Sequence, residues 1–138
     1  MIYLNTETLQ YPVFETDIRR MFTNVSFAED FDPPDQFVKV LNKTQPEFDH
    51  LTERVREEFP CQSESGWTQK WSIVKLDEAS ASNNIREERD HLLQMSDWTQ
   101  IPDSPVDKDA WAAYRQELRD ITAQPGFPYS VVWPQAPL

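Results

Sequence analysis

The chain has 138 residues, the length of one domain or two small modules, and its 24 acidic against 13 basic residues give a formal net charge of -11. That charge excludes a conventional nucleic-acid-binding surface, which needs a basic face, and it argues against adhesion to an anionic membrane. With only 2 glycines and 1 cysteine, the sequence also excludes a glycine-rich nucleotide-binding loop, an internal disulfide and a zinc site made only of thiolates.

The first residues hold neither a basic region nor an apolar stretch typical of a secretion signal. No apolar run approaches the roughly 18 residues of a membrane-spanning helix. We therefore expect a soluble intracellular protein.

The first 76 residues predict a β-rich head with one short helix. Loose alternation of apolar residues over 2–13 predicts a short β-hairpin around a turn-like centre. Apolar residues at helical spacing then predict a helix over 15–22 with Thr16 as its N-cap. After an acidic loop, residues 37–41 predict an edge strand.

Residues 51–61 fit either a helix or a strand, since their apolar residues recur at every fourth position. The turn-forming stretch that follows, and the alternation over 67–76, favour the strand. We therefore predict a long β-hairpin over 52–76. Phe59 and Cys61 then share the buried parity, and Cys61 is expected to be a small core residue.

After residue 76 the pattern becomes helical. Polar, helix-favouring residues predict an exposed helix over 77–94, followed by a loop over 97–107. A second helix follows, because Trp111 and the apolar residues after it recur at helical spacing. Its start fits either Pro105 at the first helical position or Asp107 as the cap, and Pro125-Gly126 is expected to stop it.

These patterns predict an α+β fold with two domains. We expect residues 1–76 to form the β-rich head with its β-hairpin. We expect residues 77–138 to form a two-helix C-terminal unit with an extended tail rich in aromatic residues and proline. The boundary lies where the period of the apolar pattern changes from about 2 to about 3.6 residues.

No residue pattern predicts catalysis. His50 and His91 lack a neighbouring partner, and together with one cysteine they make a poor set of metal ligands. Adjacent carboxylates such as Glu57-Glu58 diverge, whereas a glycosidase needs two facing carboxyls about 5 or 7–9 Å apart. We expect neither an enzyme, nor a cofactor, nor a metal site.

Six large aromatic residues fall in the last 41 positions and allow two interpretations. They could form a small core, or several of them could form a binding face, since Trp and Tyr dominate interface hot spots. A unit of about 45 residues can rarely bury six large aromatics alone. The six are Trp98, Trp111, Tyr114, Phe127, Tyr129 and Trp133.

The segment of about residues 85–134 resembles a known family. It contains Asp97-Trp98-Thr99-Gln100, Trp111-Ala112-Ala113-Tyr114-Arg115-Gln116, Gly126-Phe127-Pro128 and Trp133-Pro134. These motifs are similar to those in the C-terminal domain of phage tail fibre assembly proteins, small chaperones of tailed bacteriophages. The head resembles the same proteins more loosely, through Tyr11-Pro12 and Trp67-Thr68-Gln69-Lys70-Trp71. Ile101 and Ala28 depart from the usual leucine and proline.

The resemblance implies a chaperone that binds a trimeric phage tail fibre protein and assists its folding, trimerisation or attachment. It implies action in the host cell cytoplasm during assembly, with no nucleic acid and no membrane as partner. We expect the partner-binding residues to be Trp98, Trp111, Tyr114, Leu118, Phe127, Tyr129 and Trp133.

Two alternatives stay open. The protein could remain in the virion as a structural component of the tail or baseplate fibre complex. It could instead be an acidic DNA mimic that inhibits a host nuclease, although basic residues such as Arg86 and Arg115 interrupt the negative charge that a mimic needs along one face.

Overall fold

The computed structural model describes every residue from Met1 to Leu138 and confirms the α+β class, with strands mainly in the N-terminal part and helices mainly in the C-terminal part. The chain divides into two compact units. The N-terminal unit contains Met1–Glu47 and Val55–Ile73, and the C-terminal unit contains Phe48–Arg54 and Val74–Leu138. The predicted domains, 1–76 and 77–138, stay a prediction.

Five strands form one sheet in the order β2-β1-β3-β5-β4. The strands are β1 (Ile2–Asn5), β2 (Val13–Phe14), β3 (Phe37–Leu41), β4 (Glu53–Ser63) and β5 (Gly66–Lys75).

The prediction that residues 37–41 form an edge strand is wrong, because β3 is the middle strand of the sheet. It pairs antiparallel with β1, where Val40 lies opposite Ile2, and parallel with β5, where Val40 lies opposite Trp67. Phe37 and Val40 are accordingly buried. A strand forms backbone hydrogen bonds along both of its sides only when it has two neighbouring strands. In this position β3 therefore has no unpaired edge.

Both predicted hairpins are present. β4 and β5 form the long hairpin. Gly66, which follows the turn as the first residue of β5, has a φ of +111°, a backbone conformation that residues with a side chain rarely adopt. In the first hairpin, β2 contains only two residues. The loop before it starts at Asn5, whose side-chain oxygen accepts hydrogen bonds from the backbone N–H groups of Glu7 and Thr8 at 3.0 Å.

The predicted first helix is α1 (Glu15–Met21), but Thr16 is not its N-cap. Phe14 occupies the cap position, and the Asp17 carboxylate accepts a hydrogen bond from the Phe14 backbone N–H at 3.0 Å. Thr16 lies inside the first turn, so a carboxylate further along the helix satisfies the free N–H instead.

The core of the N-terminal unit is aromatic and aliphatic, as the sequence suggests. Tyr3, Val13, Ile18 and Phe37 form a buried cluster. Three partly buried phenylalanines pack against it: Phe22, Phe27 and Phe31.

The predicted burial of Phe59 and Cys61 is wrong, since both side chains are exposed and Pro60 between them is buried. The alternation along β4 shifts where two consecutive residues, Arg56 and Glu57, are both exposed. Because side chains alternate with a period of two, a shift by one residue moves every later side chain to the other face.

The C-terminal unit contains α2 (Glu78–Met95) and α3 (Lys108–Arg119), which contact each other. Asp77 caps α2 by accepting a hydrogen bond from the Ser80 N–H at 2.9 Å. Asp107 caps α3 by accepting from the N–H groups of the second and third helical residues at 3.1 Å, so the interpretation with Asp107 as cap is correct.

Short turns complete this unit. The predicted loop after α2 begins with a 3₁₀ turn, Asp97–Gln100, and a second 3₁₀ turn, Asp120–Ala123, follows α3 directly. The α-helix therefore ends earlier than Pro125-Gly126. Residues 125–130 form turns and 131–138 have no regular secondary structure. None of the helices has the length and apolarity needed to cross a membrane.

Candidate partner-binding site

The junction between α2 and α3 is fixed by Arg115. Its guanidinium donates hydrogen bonds to the Leu93 carbonyl at 2.6 Å, to Ser96 Oγ at 2.7 Å and to Asp97 Oδ1 at 2.7 Å. α2 has no basic residue in its own last turn, so Arg115 supplies the positive charge that the carbonyl end of a helix favours. The side chain is only 11% exposed, and it holds the turn that follows α2 against α3.

This turn brings Trp98 onto the side of α3. The ring centroids of Trp98 and Trp111 lie 6.2 Å apart, and those of Trp111 and Tyr114 lie 5.6 Å apart in an edge-to-face arrangement. Exposure falls along the row: Trp98 is 50% exposed, Trp111 is half-buried, and Tyr114 is 7% exposed. The row therefore runs from solvent into the interior of the unit, and such pairs add stability beyond the area that they bury.

A shallow groove of about 180 Å³ lies beside this row, and we call it the aromatic groove. Met95, the last residue of α2, is 62% exposed at its rim. Methionine is flexible and polarisable, so it suits a surface that adapts to the side chains of a partner. The groove is lined by Leu92, Met95, Ser96, Trp111, Tyr114 and Ala136.

The other predicted site residues have different surroundings. Leu118 is fully buried, so it supports α3 from inside. The Arg86 guanidinium lies over the Phe127 ring, with its central carbon 5.4 Å from the ring centroid. The Tyr129 hydroxyl donates to the Leu76 carbonyl at 2.8 Å, and these contacts tie the chain after α3 to other parts of the unit.

Trp133 is half-buried, and its ring is not paired with another aromatic ring. Of the seven predicted residues, the structure thus brings three into one row, Trp98, Trp111 and Tyr114. Four residues that line the groove were not predicted as part of the site: Leu92, Met95, Ser96 and Ala136. Met95 had a recognisable signal in the sequence. It is an apolar residue at the end of a polar predicted helix, shortly before Trp98.

No three His, Cys, Asp or Glu side chains lie close enough to hold a metal ion. His50 packs edge-to-face against Phe48, with ring centroids 4.3 Å apart. The residues that line the aromatic groove offer mainly apolar and aromatic contact.

Residues 82–138 match the family model described as phage tail assembly chaperone protein. The match covers less than half of the chain, and it contains every residue that lines the aromatic groove. Comparison with curated proteins gives no match, and comparison with solved structures gives none either.

Proposed function

We propose, from the match of residues 82–138 to the phage tail assembly chaperone family, that the protein is such a chaperone and binds an unassembled tail fibre protein through the aromatic groove. Binding would assist the folding, trimerisation or attachment of the fibre. The observation that carries this proposal is that the groove, with the exposed Met95 at its rim and the half-exposed Trp98 packed on its lining residue Trp111, lies within the matched segment.

The groove has the composition of an interface hot spot. Trp and Tyr supply most of the energy at protein interfaces, and they do so in pockets that a partner closes off from water. Trp98 and Met95 expose half or more of their surface in the isolated chain, at 50% and 62%. A partner that covers them would bury apolar area that now faces water.

A tail fibre protein is a suitable partner on physical grounds. Before it trimerises, a fibre chain exposes strand edges and apolar surface, and both promote aggregation. A small binding protein can cover that surface, and a net charge of -11 would keep the complex from associating with further copies. This action requires neither a nucleotide nor a catalytic centre.

We assign different roles to the seven predicted residues. Trp98 and Trp111 would contact the fibre directly, and Tyr114 would form the floor of the groove. Leu118 would hold α3 in place from the interior. Phe127, Tyr129 and Trp133 would position the C-terminal tail, which contributes Ala136 to the groove.

Affinity purification from phage-infected cells tests this proposal. The tagged protein should recover a tail fibre protein, and Trp98→Ala should recover much less of it at equal expression. Met21→Ala is a matched control, because Met21 is also 50% exposed but lies outside the family segment. Recovery of a host nuclease without any tail protein would instead indicate the DNA-mimic function.

A further inference from the structure

A second recess, unrelated to the family segment, lies in the N-terminal unit. It has a volume of about 200 Å³ and is lined by Tyr11, Pro12, Glu57, Glu58 and Phe59, and we call it the Tyr11 notch. Sites for whole small molecules usually measure about 300–1,000 Å³. The Tyr11 notch therefore has the size for a single side chain.

The aromatic residue Phe59, on one side of the notch, is accessible to solvent. Phe59 is 46% exposed although it lies in a strand. Its ring contacts Tyr11 and Trp67 edge-to-face, with centroid distances of 6.3 and 6.2 Å. Since the face of an aromatic ring carries partial negative charge, an exposed ring held between two others offers a fixed surface to a cation.

The two carboxylates of the notch differ in their partners. Glu58 is already paired with Arg56, at 2.6 Å, and it also accepts a hydrogen bond from Ser72 at 2.6 Å. Glu57 has no salt bridge. Its neighbours are neutral donors, the Tyr11 hydroxyl and the Gln69 side-chain amide, the latter at 2.9 Å.

Both neutral donors bind the same oxygen of Glu57, Oε1, and leave Oε2 without a hydrogen-bond partner. Burial and the hydrogen bond to Glu57 raise the pKa of Tyr11 to about 12, so its hydroxyl remains a hydrogen-bond donor to Glu57 well into the alkaline range. The notch thus holds one carboxylate in a fixed position with its negative charge uncompensated.

We propose that the Tyr11 notch binds the side chain of an arginine that a protein partner presents. The guanidinium would stack on Phe59 or Tyr11 and donate a hydrogen bond to Oε2 of Glu57. Arginine fits better than lysine, because its planar, weakly hydrated head can stack on a ring and donate in the same plane. The negative net charge of the chain would draw such a residue towards it.

The preference for arginine depends only on the notch and not on the proposed chaperone function. The identification of the partner as a tail protein, in contrast, rests on the proposed chaperone function. A probe that contains only the arginine side chain therefore tests the notch separately from the chaperone function.

The test titrates the whole protein, labelled with ¹⁵N, with N-acetyl-arginine methylamide, and repeats the titration with the citrulline analogue. Citrulline has nearly the same shape as arginine but no charge. We expect the arginine probe to shift amide signals of residues 11 and 57–59 and to bind at least about tenfold more tightly than citrulline. Equal binding of both probes, or shifts only outside the notch, would overturn the proposal.

Three variants complete the test. Glu57→Gln removes the uncompensated charge, keeps a side chain that can accept from Tyr11, and should weaken binding of the arginine probe by about fivefold or more. Phe59→Leu should weaken it by about threefold, since it removes the ring and keeps an apolar side chain.

Glu64→Gln is the matched control, because it changes the net charge by the same amount in the exposed hairpin turn. It should alter the affinity by less than about twofold, since exposed charges further away than a Debye length are screened. If Glu64→Gln weakens binding as much as Glu57→Gln does, the attraction is a property of the overall charge and the notch is not a site.

Discussion

The side chain of Gln124 pairs with the backbone of Val132 through two hydrogen bonds. Its Oε1 accepts from the Val132 N–H at 2.7 Å, and its Nε2 donates to the Val132 carbonyl at 2.9 Å. This arrangement copies the exchange of two bonds between paired residues of neighbouring strands. The Gln124 side chain thus helps to anchor a tail that has no regular secondary structure of its own.

Replacing Gln124 with Ala should release the tail without unfolding the unit. We expect hydrogen exchange of the Val132 amide to become about tenfold faster or more, and the free energy of unfolding to fall by only about 1 kcal/mol. Gln116→Ala is the control, because the Gln116 side chain bonds only the exposed Asp120 carboxylate. Unchanged protection of Val132 in Gln124→Ala would show that the pair does not hold the tail.

Arg115 should be the most important polar residue for the stability of the C-terminal unit. Arg115→Met keeps the apolar stem but removes three hydrogen bonds, so we expect the free energy of unfolding to drop by about 2 kcal/mol or more in urea titrations. Arg119→Met, at an exposed position in the same helix, should cost less than about 1 kcal/mol. Similar losses for both variants would contradict the role given to Arg115.

The N-cap of α2 should make its first turn sensitive to acid. Hydrogen bonds from the Ser80 hydroxyl and the Ser80 N–H hold the pKa of Asp77 below its usual 3.8. Because the folded pKa is the lower one, the contribution of this carboxylate is complete above about pH 4 and is lost as the pH falls through the folded value.

Asp77→Asn isolates this effect, since asparagine caps helices well but does not titrate. The difference in Ser80 amide exchange between the two proteins should be constant above about pH 5 and change below about pH 4. A difference that stays constant down to about pH 2 would contradict the assignment.

Substitutions of Leu118 and Trp98 should distinguish a residue that stabilises the fold from one that is available for binding. Leu118 is fully buried, so Leu118→Ala should lower the free energy of unfolding by about 2–5 kcal/mol. Trp98 is half exposed and contacts Trp111, so Trp98→Ala should cost only about 1 kcal/mol. Thermal and urea unfolding of both variants check this, and equal losses would mean that Trp98 belongs to the core.

Signals from neighbouring residues in the sequence were sufficient to predict the β4–β5 hairpin and the starts of α2 and α3. The turn-forming residues before Gly66 and the alternation of apolar and polar residues after it indicate the β4–β5 hairpin. Asp77 and Asp107 mark the starts of α2 and α3, because a capping carboxylate acts on N–H groups only two or three residues away. The motifs around Trp98 and Trp111 lie in the segment that matches the phage tail assembly chaperone model.

Features that depend on distant partners could not be read in this way. Whether β3 is central or at an edge depends on its pairing with β1 and β5, and the pattern of residues 37–41 is the same in both cases. The exposure of Phe59 follows from a one-residue shift in alternation along β4, and no residue type there marks it. The contacts of Arg115 with Leu93 and Ser96 likewise join residues of different elements that only the packing of α2 on α3 brings together.

The central claim is that the aromatic groove binds the tail fibre protein, and the affinity of purified Trp98→Ala for that protein tests it most directly. Calorimetry should give a dissociation constant at least about 30-fold higher than that of the unaltered protein, which corresponds to about 2 kcal/mol. Met21→Ala should stay within about twofold of the unaltered protein, because exposed apolar residues outside an interface contribute nothing to binding. Unchanged affinity of a folded Trp98→Ala variant would contradict the claim and would move the binding surface away from the groove.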